Sequence, residues 1–182
     1  MTTPSMPSLH LDLPGVRAIA LSVEDDAHVA ALQDLHLRCA EFVELVNHAP
    51  PGPDVARELL VDLPPGRTLA DKLVIGFWED DAMVAAADLI RDHPAPNAWC
   101  VGLLMIDPAR RGAGLGARLF AAIEAWLRQV GATSLHLIVQ VQNPGAERFW
   151  ARQGFARGEQ ITQDLGDTHN TVLRMRKDLA DA

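Results

Sequence analysis

Residues 111–116 (RGAGLG) are the part of this chain whose residue types and spacing are best suited to chemistry. They follow an apolar segment, 99–106, that is typical of a strand, and they lead into a segment of strong helical periodicity. Three glycines in five positions let the backbone pass close to a ligand, and the free N–H groups of the following helix would face the same point. Arg110 and Arg111 add positive charge that suits phosphate oxygens. The pattern predicts a pyrophosphate site.

Two common classes of phosphate-binding loop fit this segment poorly. A Walker loop requires a Lys-Ser or Lys-Thr pair after the last glycine, whereas Gly116 is followed by Ala117 and Arg118. The dinucleotide fingerprint matches the glycine spacing better, but it also requires an acidic residue at the end of the next strand. The next predicted strand, 134–141, contains no acidic residue. A nucleotide-dependent oxidoreductase is therefore the least favoured of the functions considered.

Two segments together resemble the GNAT N-acetyltransferase family. Residues 106–116 are similar to its acetyl-CoA motif, in which an Arg or Gln is followed by two residues, a Gly, any residue and a Gly or Ala. Residues 143–155 (NPGAERFWARQGF) look like its second signature, N-x-x-A followed by F-Y-x-x-x-G-F. The two occur in the family's order, and the resemblance is specific over 72–155.

The resemblance implies a mixed α/β fold, with a mostly antiparallel sheet of six to seven strands flanked by about four helices. Hydrophobic periodicity predicts a long first helix that starts at a capping box at Ser22 and continues to Val46. Further helices are predicted over 54–61 and 115–130 and after Asn143. Strands are predicted over 16–21, 73–78, 83–90, 99–106, 134–141, 157–163 and 171–176.

Length and composition favour a single soluble domain. With 182 residues and 48% apolar residues, we expect a flexible tail over 1–13 and one domain over 14–182. Two isolated cysteines and the lack of a signal-peptide or membrane-span pattern predict a cytoplasmic protein that does not bind membranes. The net charge of -8 argues against nucleic-acid binding. The histidines and cysteines show no paired spacing typical of metal ligands, so we expect no metal site. The family resemblance leaves a homodimer as an option.

The resemblance also implies which residues bind the cofactor, acetyl-CoA. Backbone groups of Leu104, Met105 and Ile106 would pair with the pantetheine arm, and an N–H at Leu104 would stabilise the oxyanion. Asn143 would reach the pantetheine, cap the helix that follows it, or do both, and Phe149 would pack beside the cofactor. The pyrophosphate would lie against Arg111, Gly112, Ala113, Gly114, Leu115 and Gly116.

The sequence departs from the family at the residue that protonates the leaving thiolate. The family's tyrosine corresponds to Trp150, and the chain contains no tyrosine. An indole N–H is too weak an acid to replace a phenol, so tyrosine acid catalysis is excluded. The thiolate would leave unassisted or through water, and Cys100 is a weaker alternative.

The general base lies outside both motifs. Asp88, within an otherwise apolar strand, is the first candidate, with a structural pairing to Arg91 as the alternative interpretation. Glu41 is a second candidate, although a solvated helix face is the favoured interpretation of this residue. The acceptor pocket is predicted to include Glu44, His93, Trp99 and Trp150. The alternatives are a solvated helix face for Glu44, a loop position without a role for His93, and ordinary packing for the two tryptophans.

These observations predict an acetyl-CoA-dependent N-acetyltransferase. The acetyl group would pass to a primary amine by direct attack in a ternary complex, because no activated Ser or Cys pairing indicates a covalent enzyme intermediate. The acceptor, a small-molecule or peptide amine, stays open. The alternative is a non-catalytic module that binds acyl-CoA as a sensor.

Overall fold

The computed structural model describes residues 6–165 and 168–179. Within these ranges, seven strands form one sheet in the order β1-β2-β3-β4-β5-β7-β6. All neighbours are antiparallel except β4 and β5, which are parallel. The strands are β1 (Arg17–Ala20), β2 (Lys72–Glu79), β3 (Ala82–Arg91), β4 (Ala98–Ile106), β5 (Ser134–Gln140), β6 (Ala156–Leu165) and β7 (Thr168–Asp178).

In the described part of the chain, five α-helices cover the two faces of this sheet, which confirms the predicted mixed fold. One face carries the helices that follow β4 and β5, and the other carries the three helices between β1 and β2. The helices are α1 (Asp26–Arg38), α2 (Ala40–Asn47), α3 (Val55–Val61), α4 (Leu115–Gln129) and α5 (Pro144–Arg152).

The first helix differs from its prediction in two ways. It is capped by Asp25, whose side chain accepts hydrogen bonds from the N–H groups of Ala27 and His28, and not by Ser22. It also ends at Cys39, where the backbone leaves helical geometry before α2 begins. The apolar spacing continues across Cys39, because both helices cover the same sheet face, so periodicity alone does not reveal the break.

The helix that follows the glycine loop packs as the sequence predicts. Leu119, Ile123 and Trp126 of α4 are buried against β4 and β5, and Trp126 meets Trp99 edge to face at 5.6 Å between ring centroids. This contact packs the C-terminal end of α4 against the start of β4.

Part of the segment predicted as a flexible tail lies against this core. The backbone oxygen of Ser8 accepts a hydrogen bond of 2.9 Å from Trp126 Nε1, and Leu13 is buried. Residues 1–5 lie outside the described residues. No helix in the described ranges is long and apolar enough to cross a bilayer.

A buried ion pair joins β2 and β3 on the face covered by α1–α3. Lys72 Nζ lies 2.9 Å from each carboxylate oxygen of Asp88, and it also donates to the backbone oxygen of Asp62 at 2.9 Å. The Lys72 and Asp88 side chains are only 3% and 9% exposed, so water screens the pair weakly. Asp88 therefore pairs with Lys72, and not with Arg91 as the structural alternative proposed.

Replacement of Lys72 by Met should destabilise the protein by about 3–5 kcal/mol at neutral pH, because it leaves the Asp88 carboxylate buried without a counter-charge. The loss should shrink on acidification, since a protonated Asp88 no longer carries a charge. Denaturant unfolding at several pH values measures both effects. Arg57→Met is the matched control, because the Arg57–Asp26 pair is largely exposed. Equal losses in the two variants would contradict the role assigned to the buried pair.

Candidate active site

The centre of the sheet opens into a cleft between β4 and β5. These strands pair at Ala98–Ser134, Trp99–Leu135 and Cys100–His136, and the register ends there. On its other side, β4 stays paired with β3 as far as Ile106, with a bulge beside Asp88. The second half of β4 therefore has one paired edge and one edge facing the cleft.

The alternation of a β-strand indicates which backbone groups face this cleft. The N–H of Asp107 donates to the backbone oxygen of Val84 on β3, so its neighbour Ile106 points its own groups the other way. The side chain of Arg111 confirms this direction, because its Nε donates to the Ile106 oxygen at 2.9 Å. Two residues earlier, Leu104 shares the orientation of Ile106. Met105 pairs with β3, so the predicted cofactor strand presents Leu104 and Ile106 to the cleft.

The glycine loop joins this edge to the first turn of α4. Gly112 and Gly114 have φ values of +83° and +79°, a backbone conformation that favours glycine. A Cβ placed on either would meet no atom of the described chain within 4 Å, apart from its immediate neighbours. Gly114 is the N-cap of α4, so no side chain caps the N–H groups of the first turn. The loop is therefore open on the side where these donors point.

The three arginines around this loop have different surroundings. Arg111 is exposed and bends back onto the end of β4. Arg110 forms an ion pair with Glu79, and Arg118 donates to the backbone oxygen of Pro14 at 3.4 Å. Of the predicted positive cluster, Arg111 is the member held directly between the strand edge and the loop.

The second signature packs α5 against this loop. Asn143 caps α5 through a hydrogen bond of 3.0 Å from the N–H of Ala146 to Oδ1, so its interpretation as a cap is correct. The Phe149 ring would lie 3.5 Å from a Cβ placed on Gly116, and it covers the first turn of α4. A Cβ at this distance would make ordinary van der Waals contact with the ring, so α5 packs closely on the first turn of α4.

Two adjoining cavities occupy the opposite face of the sheet, under α1–α3. One has a volume of about 1030 Å³ and lies between α2, α3 and β4. The other, of about 760 Å³, runs over β3, β4, β5 and the end of the sheet near His93. Leu59, Asp62, Leu63 and Gly102 line both cavities, which therefore form one groove above the cleft.

Asp88 reaches this groove beneath Gly102. A Cβ on Gly102 would lie 2.7 Å from Asp88 Oδ2, so glycine is required for this close approach. Asp88 Oδ1 is buried and, although Lys72 Nζ is near, it accepts no hydrogen bond of good geometry from the described residues. Burial raises the pKa of Asp88, and the Lys72 ammonium offsets part of this increase. The site thus holds a desolvated carboxyl group whose proton affinity exceeds that of an ordinary aspartate.

The other titratable groups along the groove respond to burial in the expected directions. Burial raises the pKa of Cys100 to about 12, with the Asp88 charge contributing, so this thiol stays protonated. Burial lowers the pKa of His93, and it lowers the pKa of His136 together with the charge of Arg176. Both imidazoles are therefore neutral at pH 7.

Several residues assigned to the site from sequence lie elsewhere. Glu41 and Glu44 are exposed on α2, and neither lines the groove. Trp99 and Trp150 lie in the hydrophobic core, 2% and 8% exposed, and not in the acceptor groove. Trp150 packs edge to face against Phe120, which accounts for its burial. Of the predicted acceptor residues, His93 is the one that lines the groove.

Sequence reasoning missed Asp62 and His136. Asp62 follows α3 directly, before Pro64 and Pro65, where its carboxylate resembles any solvated loop acid. His136 belongs to an apolar strand, and only its register beside Cys100 places it where β4 and β5 separate. Neither residue belongs to a recognisable motif, so no local pattern reveals them.

Comparison with known proteins agrees with this geometry. The model of the Acetyltransferase (GNAT) family matches residues 29–155. The chain belongs to the GNAT acetyltransferase family. Members of this family use acyl-CoA, and the open loop, the uncapped N-terminus of α4 and the unpaired edge of β4 fit such a ligand.

Solved GNAT structures share the fold at low identity. An acetyltransferase from Thermus thermophilus has a TM-score of 0.71 and 22% identity, covering 90% of this chain and 97% of that chain. The ribosomal-protein-S18-alanine N-acetyltransferase from Escherichia coli has a TM-score of 0.67 and 17% identity, with 92% and 96% coverage. The GNAT domain of S. lividans PAT has a TM-score of 0.66 and 16% identity, with 90% coverage of both chains. No curated protein matches this GNAT chain in sequence.

Gly114→Glu should abolish stabilisation of this GNAT protein by acetyl-CoA, because it places a carboxylate where the loop and α4 present N–H donors. A thermal-shift titration with acetyl-CoA, CoA and NADPH measures the effect. The unsubstituted protein should be stabilised by the two CoA ligands and not by NADPH.

Gly131→Glu is the matched control for this experiment. Gly131 lies beyond the C-terminal end of α4 with a φ of +86°, and a Cβ there also meets no atom within 4 Å. Both variants carry the same backbone strain, so both should lose some stability, but only Gly114→Glu should lose the response to acetyl-CoA. An equal loss of response in both would show that strain, and not the anion site, explains the result.

Proposed function

We propose that this protein is an acetyl-CoA-dependent N-acetyltransferase that acts on a primary amine. One arrangement supports the proposal: the unpaired edge of β4 runs from the glycine loop to Gly102, where the groove and Asp88 meet. A ligand held along this edge would have its phosphates at α4 and its other end at the groove. The amine would approach from the opposite face of the sheet.

The proposal gives the glycine loop, β4 and Phe149 the roles that the family resemblance implies. Residues 111–116 and the first turn of α4 would bind the pyrophosphate through backbone N–H groups and the Arg111 side chain. Leu104 and Ile106 would offer backbone groups to the pantetheine arm as a neighbouring strand would. Phe149 would cover the loop from the side of α5. The N–H of Leu104 would stabilise negative charge on a carbonyl oxygen in the cleft.

Acetyl-CoA supplies an acetyl thioester, and the protein positions the amine and removes its proton. In the transfer a C–N bond forms, the C–S bond breaks, and the amine loses one proton. We propose Asp88 as the proton acceptor, because its carboxyl group is desolvated and lies at Gly102. The thiolate takes its proton from water, since Trp150 is buried in the core and the chain has no tyrosine.

His136 is the rival proton acceptor. It lines the same groove, and its Nε2 lies 3.0 Å from Ser134 Oγ, which orients the ring. Its lowered pKa leaves the imidazole neutral and able to accept a proton at pH 7. The pH dependence of the two variants separates the candidates.

Asp88→Asn should reduce kcat/KM by about 100-fold or more, because a general base contributes at least this much. The unsubstituted enzyme should lose activity as the pH falls, since a protonated carboxyl cannot accept a proton. The loss should begin above the usual aspartate pKa of 3.8, because burial raises the pKa of Asp88. Release of free CoA thiol with a panel of simple primary amines measures the rate.

Two further variants complete this test. Asp26→Asn alters an exposed aspartate of α1 and should leave kcat/KM unchanged. His136→Gln should keep most of the activity and the same pH profile. If His136→Gln instead abolishes activity while Asp88→Asn retains it, His136 is the base. Retained stabilisation by acetyl-CoA in each variant would show that the fold and the cofactor site are intact.

A non-catalytic acyl-CoA sensor is the second candidate, favoured by the ion pair that engages Asp88 and by the lack of tyrosine. This function predicts stabilisation by acetyl-CoA without release of thiol for any amine tested.

A further inference from the structure

The larger cavity has an apolar wall that the transfer chemistry does not require. Residues of α1, α2, α3, the segment after α3 and β4 line it; most are hydrophobic, and five of these are half-buried. They include Phe42, Val46, Leu59, Leu63 and Leu103. Half-buried apolar side chains around a concave space gain free energy when an apolar ligand removes them from water.

The charged residues of this cavity are acidic. Glu58 and Asp62 line it, and no Lys or Arg of the described ranges does. The remaining ionisable residue in its lining is His36, whose pKa is lowered by burial, so its ring is neutral at pH 7. The negative charge of this lining attracts a cation and repels a carboxylate or phosphate group.

The acidic charge is concentrated at the end nearest the cleft. Asp62 lines both cavities together with Gly102, and its charge contributes to the raised pKa of Asp88. Asp88 is balanced by Lys72, whereas the Asp62 side chain forms no ion pair within the part of the chain that the structure describes. Arg174 and Arg176 line the adjoining cavity, but they form ion pairs with Glu159 and Asp178. Asp62 therefore supplies a negative charge without an ion-pair partner among the described residues beside the point where transfer would occur.

We propose that the acceptor is a monoamine with an apolar body. Its ammonium group binds between Asp62 and Asp88 at Gly102, and its hydrocarbon portion lies along Phe42, Val46 and Leu59. This inference rests on the proposed function and specifies the acceptor class. A diamine would place its second ammonium group among the apolar side chains without a partner, which costs free energy. An amino acid would bring its carboxylate toward Glu58.

Three linear amines of similar length test the inference. Hexylamine, 1,5-diaminopentane and 5-aminopentanoate present the same reactive amine and end in a methyl, an ammonium and a carboxylate group. Thiol release should give a kcat/KM for hexylamine that is about tenfold or more above those of the other two, because a buried unpaired charge is penalised more than a methyl group. Phenethylamine, which has an apolar ring, should resemble hexylamine.

Two matched variants locate the effect in this cavity. Val61 of α3 lines it and is 45% exposed, so Val61→Lys adds a cation with little risk to the fold. Leu37 of α1 is 54% exposed and does not line it, so Leu37→Lys is the control. Val61→Lys should lower kcat/KM for hexylamine by about tenfold, and Leu37→Lys should leave it unchanged. Asp62→Asn should raise KM without loss of acetyl-CoA binding.

The outcomes separate the inference from the function on which it rests. Faster turnover of 1,5-diaminopentane or 5-aminopentanoate overturns the acceptor class and leaves the N-acetyltransferase function standing. Equal effects of Val61→Lys and Leu37→Lys also overturn it. No thiol release with any of the four amines, in a protein that acetyl-CoA stabilises, overturns both and supports the sensor function.

Discussion

The separation of β4 from β5 after the Cys100–His136 pair is the constraint on which the rest of the site depends. Backbone N–H and C=O groups are strong hydrogen-bonding groups, and a strand edge in the middle of a sheet would ordinarily be paired. Here the bulge beside Asp88 and the single parallel pairing leave half of β4 facing a cleft. A ligand that offers backbone-like amides can satisfy that edge, and under the proposed function the adjoining glycine loop would bind its phosphates.

The two faces of the sheet differ in how completely side chains fill them. The face under α4 and α5 is a dense aromatic and aliphatic core, in which Trp126 and Trp150 are buried, and it holds the glycine loop in place. The face under α1–α3 is less completely filled and contains the groove together with the Lys72–Asp88 pair. Burying this pair costs desolvation free energy, and apolar side chains of similar volume could fill the same space without that cost. The Asp88 carboxylate of this pair lies beneath Gly102 at the groove, which is why we propose a role for it in proton transfer.

The parts of the site that the sequence predicted well are those encoded by local rules. The positive φ values of Gly112 and Gly114, the cap formed by Asn143 and the apolar stripe of α4 each depend on a few neighbouring residues. The acceptor side was predicted less well. A tryptophan in a strand or helix can line a pocket or fill a core with the same local pattern, and burial of Trp99 and Trp150 depends on residues far away in the chain.

By itself, the sequence determined the order of the strands, the glycine loop before α4 and the family resemblance, because glycine spacing, caps and hydrophobic periodicity act over a few residues. Only the tertiary structure decided that the first helix breaks at Cys39, that Asp88 pairs with Lys72, and that Asp62 and His136 line the groove. These features depend on strand register and on the packing of α1–α3 over the sheet. Such contacts join residues that are distant in sequence, and a local pattern carries no signal for them.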